Sequence, residues 1–327
     1  MSSLLRVGLI GLGRWGTVYL RTLEVLSDRC RVTHLCTSQP KPETRLSRPV
    51  TVFREWRELV RSDCDAVIIA TPPTLHAEML EACLEARKPC IVEKPLCLDV
   101  ATAERLHEHV QASKTPVLVD HTHLFSPRYL GLKRAVEDAG EPIRLLVSEG
   151  MGFGPFRTHT SALWDWGPHD VSLCLDLMKE RPLRVDALAG PRSPEGIPEQ
   201  VSVRFDFPGG ACAWVHVGRC SVEKRRSLSV VTDKRVYLWD DLAPEPLTMA
   251  PIDFRRRYDS GVPEPLVSSP VAHAPGPLPL VNLVTYFLDG LAGGDQKRFG
   301  TELALDVVRL LAACDRAMQE PRPPHVG

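Results

Sequence analysis

A carboxylate and an imidazole stand four residues apart in the run Trp164-Asp165-Trp166-Gly167-Pro168-His169-Asp170. On a helix, or one turn ahead of one, that spacing puts Asp165 and His169 on one face. A carboxylate beside an imidazole fixes its tautomer and raises its basicity, which suits general acid–base chemistry. The same run also suits a plain helix start, with a hydrogen-bonded histidine and Asp170 as the capping residue. A third group is a cation. Glu93-Lys94-Pro95 follows the short apolar segment Cys90-Ile91-Val92, so Lys94 stands at a strand end, either as a cation at a ligand cleft or as a solvated turn lysine.

These groups need a scaffold, and the residues up to Asp120 carry its signals. Gly11-Leu12-Gly13-Arg14-Trp15-Gly16 lies between a strand candidate, Leu4–Ile10, and a helical run from Thr17 to Leu26. In that setting the glycine pattern is a dinucleotide fingerprint. Gly11 permits the tight turn, Gly13 lets the backbone approach a pyrophosphate, and Gly16 lets the helix pack close to the strand. The helix N-terminus offers N–H groups and a partial positive charge to that anion. Further strands are predicted at Arg31–Cys36, Ala66–Ala70, Cys90–Val92 and Pro116–Asp120, with helices over Leu75–Ala86 and from an Asp99 cap to Ala112. Ala66–Ala70 is continuously apolar, as a strand buried on both faces requires. The alternation predicts an α/β fold with a doubly wound parallel Rossmann sheet. Ligands gather outside the carboxyl ends of such strands, so Ala70-Thr71-Pro72-Pro73 and Glu93-Lys94-Pro95 belong beside the glycine turn.

Past Asp120 the rhythm changes. Helices are predicted over Arg128–Ala139 and from near His169 to Met178. Strands are predicted over Ile143–Gly150, Val185–Ala189, Val201–Phe207, Cys212–Val217, Ser227–Val231 and Val236–Trp239. Turn-like segments such as Pro208-Gly209-Gly210 point to antiparallel neighbours among the later strands. From Asp241 to Pro279 prolines dominate, which reads as a long loop or arm. Two helices, Leu280–Leu291 and Thr301–Met318, precede a proline-rich tail. The expected organisation is a Rossmann domain over residues 1–121 and a C-terminal α+β domain with an open, mostly antiparallel sheet over residues 122–327.

Composition narrows the function classes. The chain has 327 residues, 43% hydrophobic and 25% charged, with a formal net charge of −1. That is ordinary for a soluble two-domain protein and argues against a polyanion partner; no nucleic-acid-reading motif accompanies the short clusters Lys224-Arg225-Arg226 and Arg255-Arg256-Arg257, which read as solvated loops. No run reaches membrane-spanning length, and the first residues lack a signal-peptide pattern. Ten scattered cysteines without a C-x-x-C pair read as reduced, mostly buried thiols of a cytoplasmic protein. His107-Glu108-His109 and His121-Thr122-His123 lack a third ligand at any metal-binding spacing, so no metal is expected.

Together these segments resemble the Gfo/Idh/MocA family of NAD(P)-dependent oxidoreductases. The carriers are the glycine turn, Ala70-Thr71-Pro72-Pro73 with His76, Glu93-Lys94-Pro95, Asp165 with His169, and the closing run Phe299–Leu305. The resemblance covers essentially the whole chain, and Glu-Lys-Pro at a Rossmann strand end is its most specific mark. It implies hydride transfer between a nicotinamide and a carbinol or keto carbon of a sugar, cyclitol or nucleotide sugar. By that resemblance His169 is the general base, Asp165 orients it and contacts substrate, and Lys94 binds the reacting oxygen, with Trp166 lining the substrate. Gly11, Leu12, Gly13, Arg14, Trp15, Gly16, Thr71, Pro72, His76, Glu93 and His121 hold the nucleotide, and His121 lies near nicotinamide and substrate. The family's open sheet further implies a homodimer or homotetramer.

Three departures stand out. No carboxylate ends the second strand, where an acid binds the adenosine ribose; Thr37 and Ser38 stand there, with Lys41 and Arg45 nearby, which tilts the cofactor from NAD(H) towards NADP(H). His121–Pro127 lacks the arginine many members carry before the phenylalanine, and Thr160–Leu163 replaces the paired glycines often found ahead of the aspartate. Two other activities share these residues. An NAD-dependent glycosidase would release sugar with no net change in nicotinamide absorbance, and a non-catalytic nucleotide sensor would have no use for Lys94, Asp165 and His169.

Overall fold

Strands β1 (Leu5–Ile10), β2 (Cys30–Cys36), β3 (Thr51–Phe53), β4 (Ala66–Ile69), β5 (Cys90–Glu93) and β6 (Val117–Asp120) form one parallel sheet in the order β3-β2-β1-β4-β5-β6. The computed structural model describes residues 4–38, 49–158, 160–254 and 267–320. Every residue of β4, β5 and β6 is buried, as strands covered by helices on both faces must be. The covering helices are α1 (Arg14–Val25), α2 (Trp56–Arg61), α3 (His76–Glu85) and α4 (Val100–Ser113). Helix α4 starts where the sequence places its cap: the Asp99 carboxylate accepts from the Thr102 N–H at 2.8 Å. The order 3-2-1-4-5-6 reverses direction between β1 and β4, and that switch point opens a crevice at the carboxyl ends of the strands.

The chain divides into two units. The first is Met1–Phe125 with Pro277–Arg309; the second is Ser126–Gly276 with Leu310–Gly327. The single boundary expected after His121 therefore sits four residues later, and a returning segment joins the first unit. That segment carries α7 (Pro279–Leu291), whose Leu280, Leu283, Val284 and Phe287 are buried and which packs on α1. An Arg29–Asp289 ion pair at 2.6 Å and a Gly300 N–H donated to the Val117 carbonyl at 2.7 Å fasten the segment further along.

The second unit contains α5 (Pro127–Ala139), β7 (Ile143–Phe153), α6 (Ala162–Met178), β8 (Arg184–Ala189), β9 (Gln200–Asp206), β10 (Cys212–Gly218), β11 (Cys220–Thr232), β12 (Arg235–Asp240), β13 (Leu247–Pro251) and β14 (Ser269–Pro270). Its sheet runs β14-β13-β12-β11-β7-β10-β9-β8. All neighbours are antiparallel except β7 and β10. Alternation is regular: Val201, Val203 and Phe205 of β9 and Ala213, Val215 and Val217 of β10 are buried on the face that packs against α6.

Four expectations are corrected. Strand β11 follows β10 in sequence but pairs with β7 and β12, so the two are not neighbours. The supposed arm from Asp241 contains β13 and β14, whose prolines stand at strand ends and on the sheet edge, where a missing N–H is tolerated. Lys224-Arg225-Arg226 lies within β11, not in a solvated loop; Arg255-Arg256-Arg257, Lys41, Arg45 and the tail from Pro321 fall outside the described residues. Helix α6 begins seven residues before His169. Ser161 caps it, its hydroxyl accepting from the Trp164 N–H at 3.4 Å, and Asp170 is fully buried inside it.

Candidate functional site

The glycine turn is built as its sequence requires. Gly11 has φ +96°, and a Cβ there would meet the Ala70 carbonyl oxygen at 2.5 Å; a Cβ on Gly16 would meet the Gly11 carbonyl oxygen at 2.1 Å. At Gly13 a Cβ would have no neighbour within 4 Å. The outer glycines are demanded by packing, and the middle one faces open space. Gly13 caps α1 without a side-chain hydrogen bond, so the first N–H groups of α1 have no side-chain cap to compete with an anion. Gly13 and Arg14 are exposed, Trp15 is half-buried and Leu12 buried. Bare backbone, free helix-start donors and room beside them fit the pyrophosphate of a dinucleotide.

The neighbouring strand ends are tied to this turn. The Gly11 N–H donates to the Cys36 carbonyl at 2.9 Å and the Ala70 N–H to the Ile10 carbonyl at 2.8 Å. Beyond β2, Thr37 is buried and Ser38 exposed. Arg54, one residue past β3, donates from Nη1 to the Thr37 carbonyl at 3.1 Å. Sequence reasoning missed this arginine. The signal was the short edge strand β3, whose Phe53 pairs with Cys36 and so delivers Arg54 beside Thr37.

Lys94 follows β5 and is 8% exposed. Its turn is held by His76, which is fully buried. One ring nitrogen of His76 lies 2.8 Å from the Pro95 carbonyl oxygen and the other 2.8 Å from that of Thr71. Burial pushes the His76 pKa down, against the two carbonyls that favour its charged form. Expected to line the nucleotide, this imidazole instead clamps the turns after β4 and β5 together. Glu93 is likewise turned inward: its Oε2 accepts the Lys94 backbone N–H at 3.1 Å. Thr71 is half-buried and Pro72 exposed, so these two present the surface of their turn. His121 is buried one residue past β6, where a short 3-10 turn, Thr122–Phe125, begins.

In the second unit, α6 is buried on nearly every side. Asp165, Trp166 and His169 are the half-buried exceptions in its first three turns, and the i, i+4 spacing puts Asp165 and His169 on that face. Gly150 and Gly152 of β7 lie against the Trp166 indole. The Asp165 carboxylate is gripped from two sides. Arg157 donates from Nε at 2.8 Å and Arg219 from Nη2 at 3.2 Å. Arg219 is fully buried and also reaches Glu199 at 2.9 Å and the Thr160 carbonyl at 3.0 Å, which fixes the start of α6. Asp170, instead of capping, accepts from Ser148 at 2.6 Å and pairs with Arg226 at 3.0 Å. Arg219 and Arg226 lie 54 and 56 residues from the aspartates they bind, so no local spacing rule could assign them.

Comparison with known proteins agrees with this architecture. Residues 5–121 match the model of an oxidoreductase family with an NAD-binding Rossmann fold, and residues 153–237 match the Gfo/Idh/MocA C-terminal domain. Myo-inositol 2-dehydrogenase of Thermotoga maritima is 27% identical over 185 residues, 54% of this chain and 55% of that protein. The chain thus spans about half the length of that curated relative. A solved structure from Magnetospirillum magnetotacticum MS-1 is 32% identical, covers 95% of this chain and 100% of that one, and superposes with a TM-score of 0.84. GenD2 from gentamicin A biosynthesis, solved in complex with NAD, shares the fold at 18% identity and a TM-score of 0.83, over 98% of this chain and 96% of its own. No helix among the described residues is long and apolar enough to cross a membrane. With its glycine cradle, its Glu-Lys-Pro strand end and both family models matched, the chain belongs to the Gfo/Idh/MocA oxidoreductase family.

Proposed function

We propose that this protein is a dehydrogenase or reductase acting on one CH–OH carbon of a cyclitol, sugar or nucleotide sugar. The observation that carries the reading is the open glycine cradle at the sheet's switch point, with Lys94 fixed at a neighbouring strand end. The inositol dehydrogenase relatives supply the substrate class. Nicotinamide, when bound, supplies the hydride acceptor or donor. Gly11 to Gly16 hold the pyrophosphate, and Thr71 and Pro72 line the nucleotide. His76 and Glu93 act through the turns they brace, with His121 behind the nicotinamide. In oxidation His169 takes the proton of the substrate hydroxyl, and Asp165, pinned by Arg157 and Arg219, holds His169 and a neighbouring substrate hydroxyl. The Lys94 ammonium donates to the reacting oxygen and stabilises its developing negative charge. Trp166 offers an apolar wall for a sugar ring.

The cofactor reading is NADP(H). Thr37 and Ser38 leave room for a 2′-phosphate where an acid would repel it, and Arg54 supplies a cation. Steady-state assays with NAD(P)⁺ against a panel of cyclitols and sugars test both halves. Turnover with a cyclitol or sugar is expected, with higher kcat/KM for NADP⁺. A charge-assisted contact is worth roughly 1.5–3 kcal/mol, so Arg54→Ala lowers the NADP⁺/NAD⁺ ratio on the order of 10–10²-fold. A wild-type preference for NAD⁺ would overturn the cofactor half and leave the dehydrogenase standing.

The same reading includes self-association through the sheet of the second unit. Arg204, Trp214, Val147, Ser229 and Leu238 are register partners in a row across its half-exposed face, and Arg204 stacks on Trp214 at 5.6 Å. Sedimentation is expected to give a dimer or tetramer, and Val147→Lys to shift it towards monomer. A wild-type monomer at micromolar concentration sinks this part.

A further inference from the structure

The last residues of β5 and β6, Glu93 and Asp120, are direct register partners, and both side chains are buried. Neighbours in register on parallel strands point to the same face, so two carboxyl groups share one site cut off from water. Two carboxylates there would face mutual repulsion and a desolvation penalty together, so one must keep a proton.

The donors around them decide which. Asp120 accepts the Tyr19 hydroxyl on Oδ2 at 2.5 Å and the Thr122 hydroxyl on Oδ1. Two O–H donors stabilise its carboxylate. Glu93 accepts the backbone N–H of Lys94 on Oε2 at 3.1 Å, while its Oε1 is buried with no hydrogen-bond partner among the described residues. Burial pushes Glu93 well above the ordinary carboxylate range, and the charge of Asp120 pushes the same way. Burial also raises Asp120, while its hydroxyl donors pull it back. Tyr19, buried beside both carboxyl groups, is held well above the ordinary tyrosine value and stays a donor. The positive charge of Lys94 favours the ionised form of both acids.

We propose that Glu93 and Asp120 hold one shared proton at neutral pH, Glu93 as the acid and Asp120 as the carboxylate, and that this single negative charge positions the Lys94 ammonium. The second half rests on the reading of Lys94 given above. With both groups ionised, the net charge beside Lys94 would oppose an alkoxide on the substrate. With neither ionised, the ammonium would lose its anchor. One proton leaves a neutral ion pair and keeps the lysine charged and aimed. Asp120 is thus a positioning residue, acting through Lys94.

The protonation is testable without any substrate. Infrared difference spectra of wild type minus Glu93→Gln at neutral pH should contain the carbonyl stretch of a protonated carboxylic acid. The band should be lost or shifted in Asp120→Asn, which serves as the second probe if the first variant fails to fold. Thermal stability gives an independent reading. A group held above its unfolded value contributes fully at acidic pH, and the contribution is lost as pH rises from the ordinary glutamate range towards the raised folded value. Wild type should therefore lose stability across that window, and Glu93→Gln should lose less. No acid band in wild type, or a band unchanged in both variants, overturns the shared proton whatever the enzyme's substrate. For the second half, Asp120→Asn should lower kcat about tenfold or more with little change in KM, and Glu93→Gln should shift the alkaline limb of the kcat/KM profile. If the band is present but both kinetic profiles match wild type, the pair does not position Lys94.

Discussion

Replacing His169 with Asn lowers kcat/KM by about 10²–10⁴-fold, with most of the loss in kcat. The amide keeps nearly the shape of imidazole and one hydrogen-bond donor but cannot take a proton. His169 is half-buried, and Ser161 still caps the helix. Circular dichroism and the melting temperature should therefore stay close to wild type. In the oxidation direction the acidic limb of the pH–rate profile, which reports the imidazole as it loses its proton, should disappear. Activity within threefold of wild type with the limb intact would assign the base to another residue.

Lys94→Met removes a charge while keeping an unbranched stem of similar reach. A transition-state contact of this kind is worth on the order of 10²–10³-fold, about 2.7–4 kcal/mol. The loss should appear in kcat, with nucleotide affinity measured by fluorescence titration nearly unchanged, because the glycine cradle is untouched. Lys94→Arg should not restore the rate: a guanidinium is wider and cannot enter the turn that His76 holds at 2.8 Å on both sides. Turnover of Lys94→Met within about twofold of wild type would refute the assignment.

Much of this architecture is legible in the residues, and the reasons differ by element. Ala66–Ile69 is apolar throughout because both its faces are covered. The glycine turn is legible because Gly11 and Gly16 stand where a Cβ would collide with backbone, and Gly13 leaves bare backbone between them. Three-residue β3, with Thr51 and Val52 exposed, has no periodicity to find, and Arg54 went with it. The start of α6 is masked by Pro168, which reads as a first-turn proline; it lies in the second turn, where the missing N–H costs one hydrogen bond and the surrounding core holds the helix. The partners of Asp165 and Glu93 depend on which strands pair, and pairing is a property of the whole sheet. His76 shows the limit most plainly, since its motif marks a site residue while its contacts make it a brace.

The returning segment Pro277–Arg309 sets the order in which the protein can be finished on the ribosome. The first unit is started before Ser126–Gly276, yet α7, which packs on α1, is made only after that segment. Until it emerges, the surface of the first unit that Leu283, Val284 and Phe287 will cover stays exposed to whatever else the nascent chain meets. A fragment ending at Phe125 would carry the glycine cradle and Lys94 but would leave that surface permanently bare. For this chain the nucleotide half is started first but cannot be completed until Ser126–Gly276 of the other unit has been made.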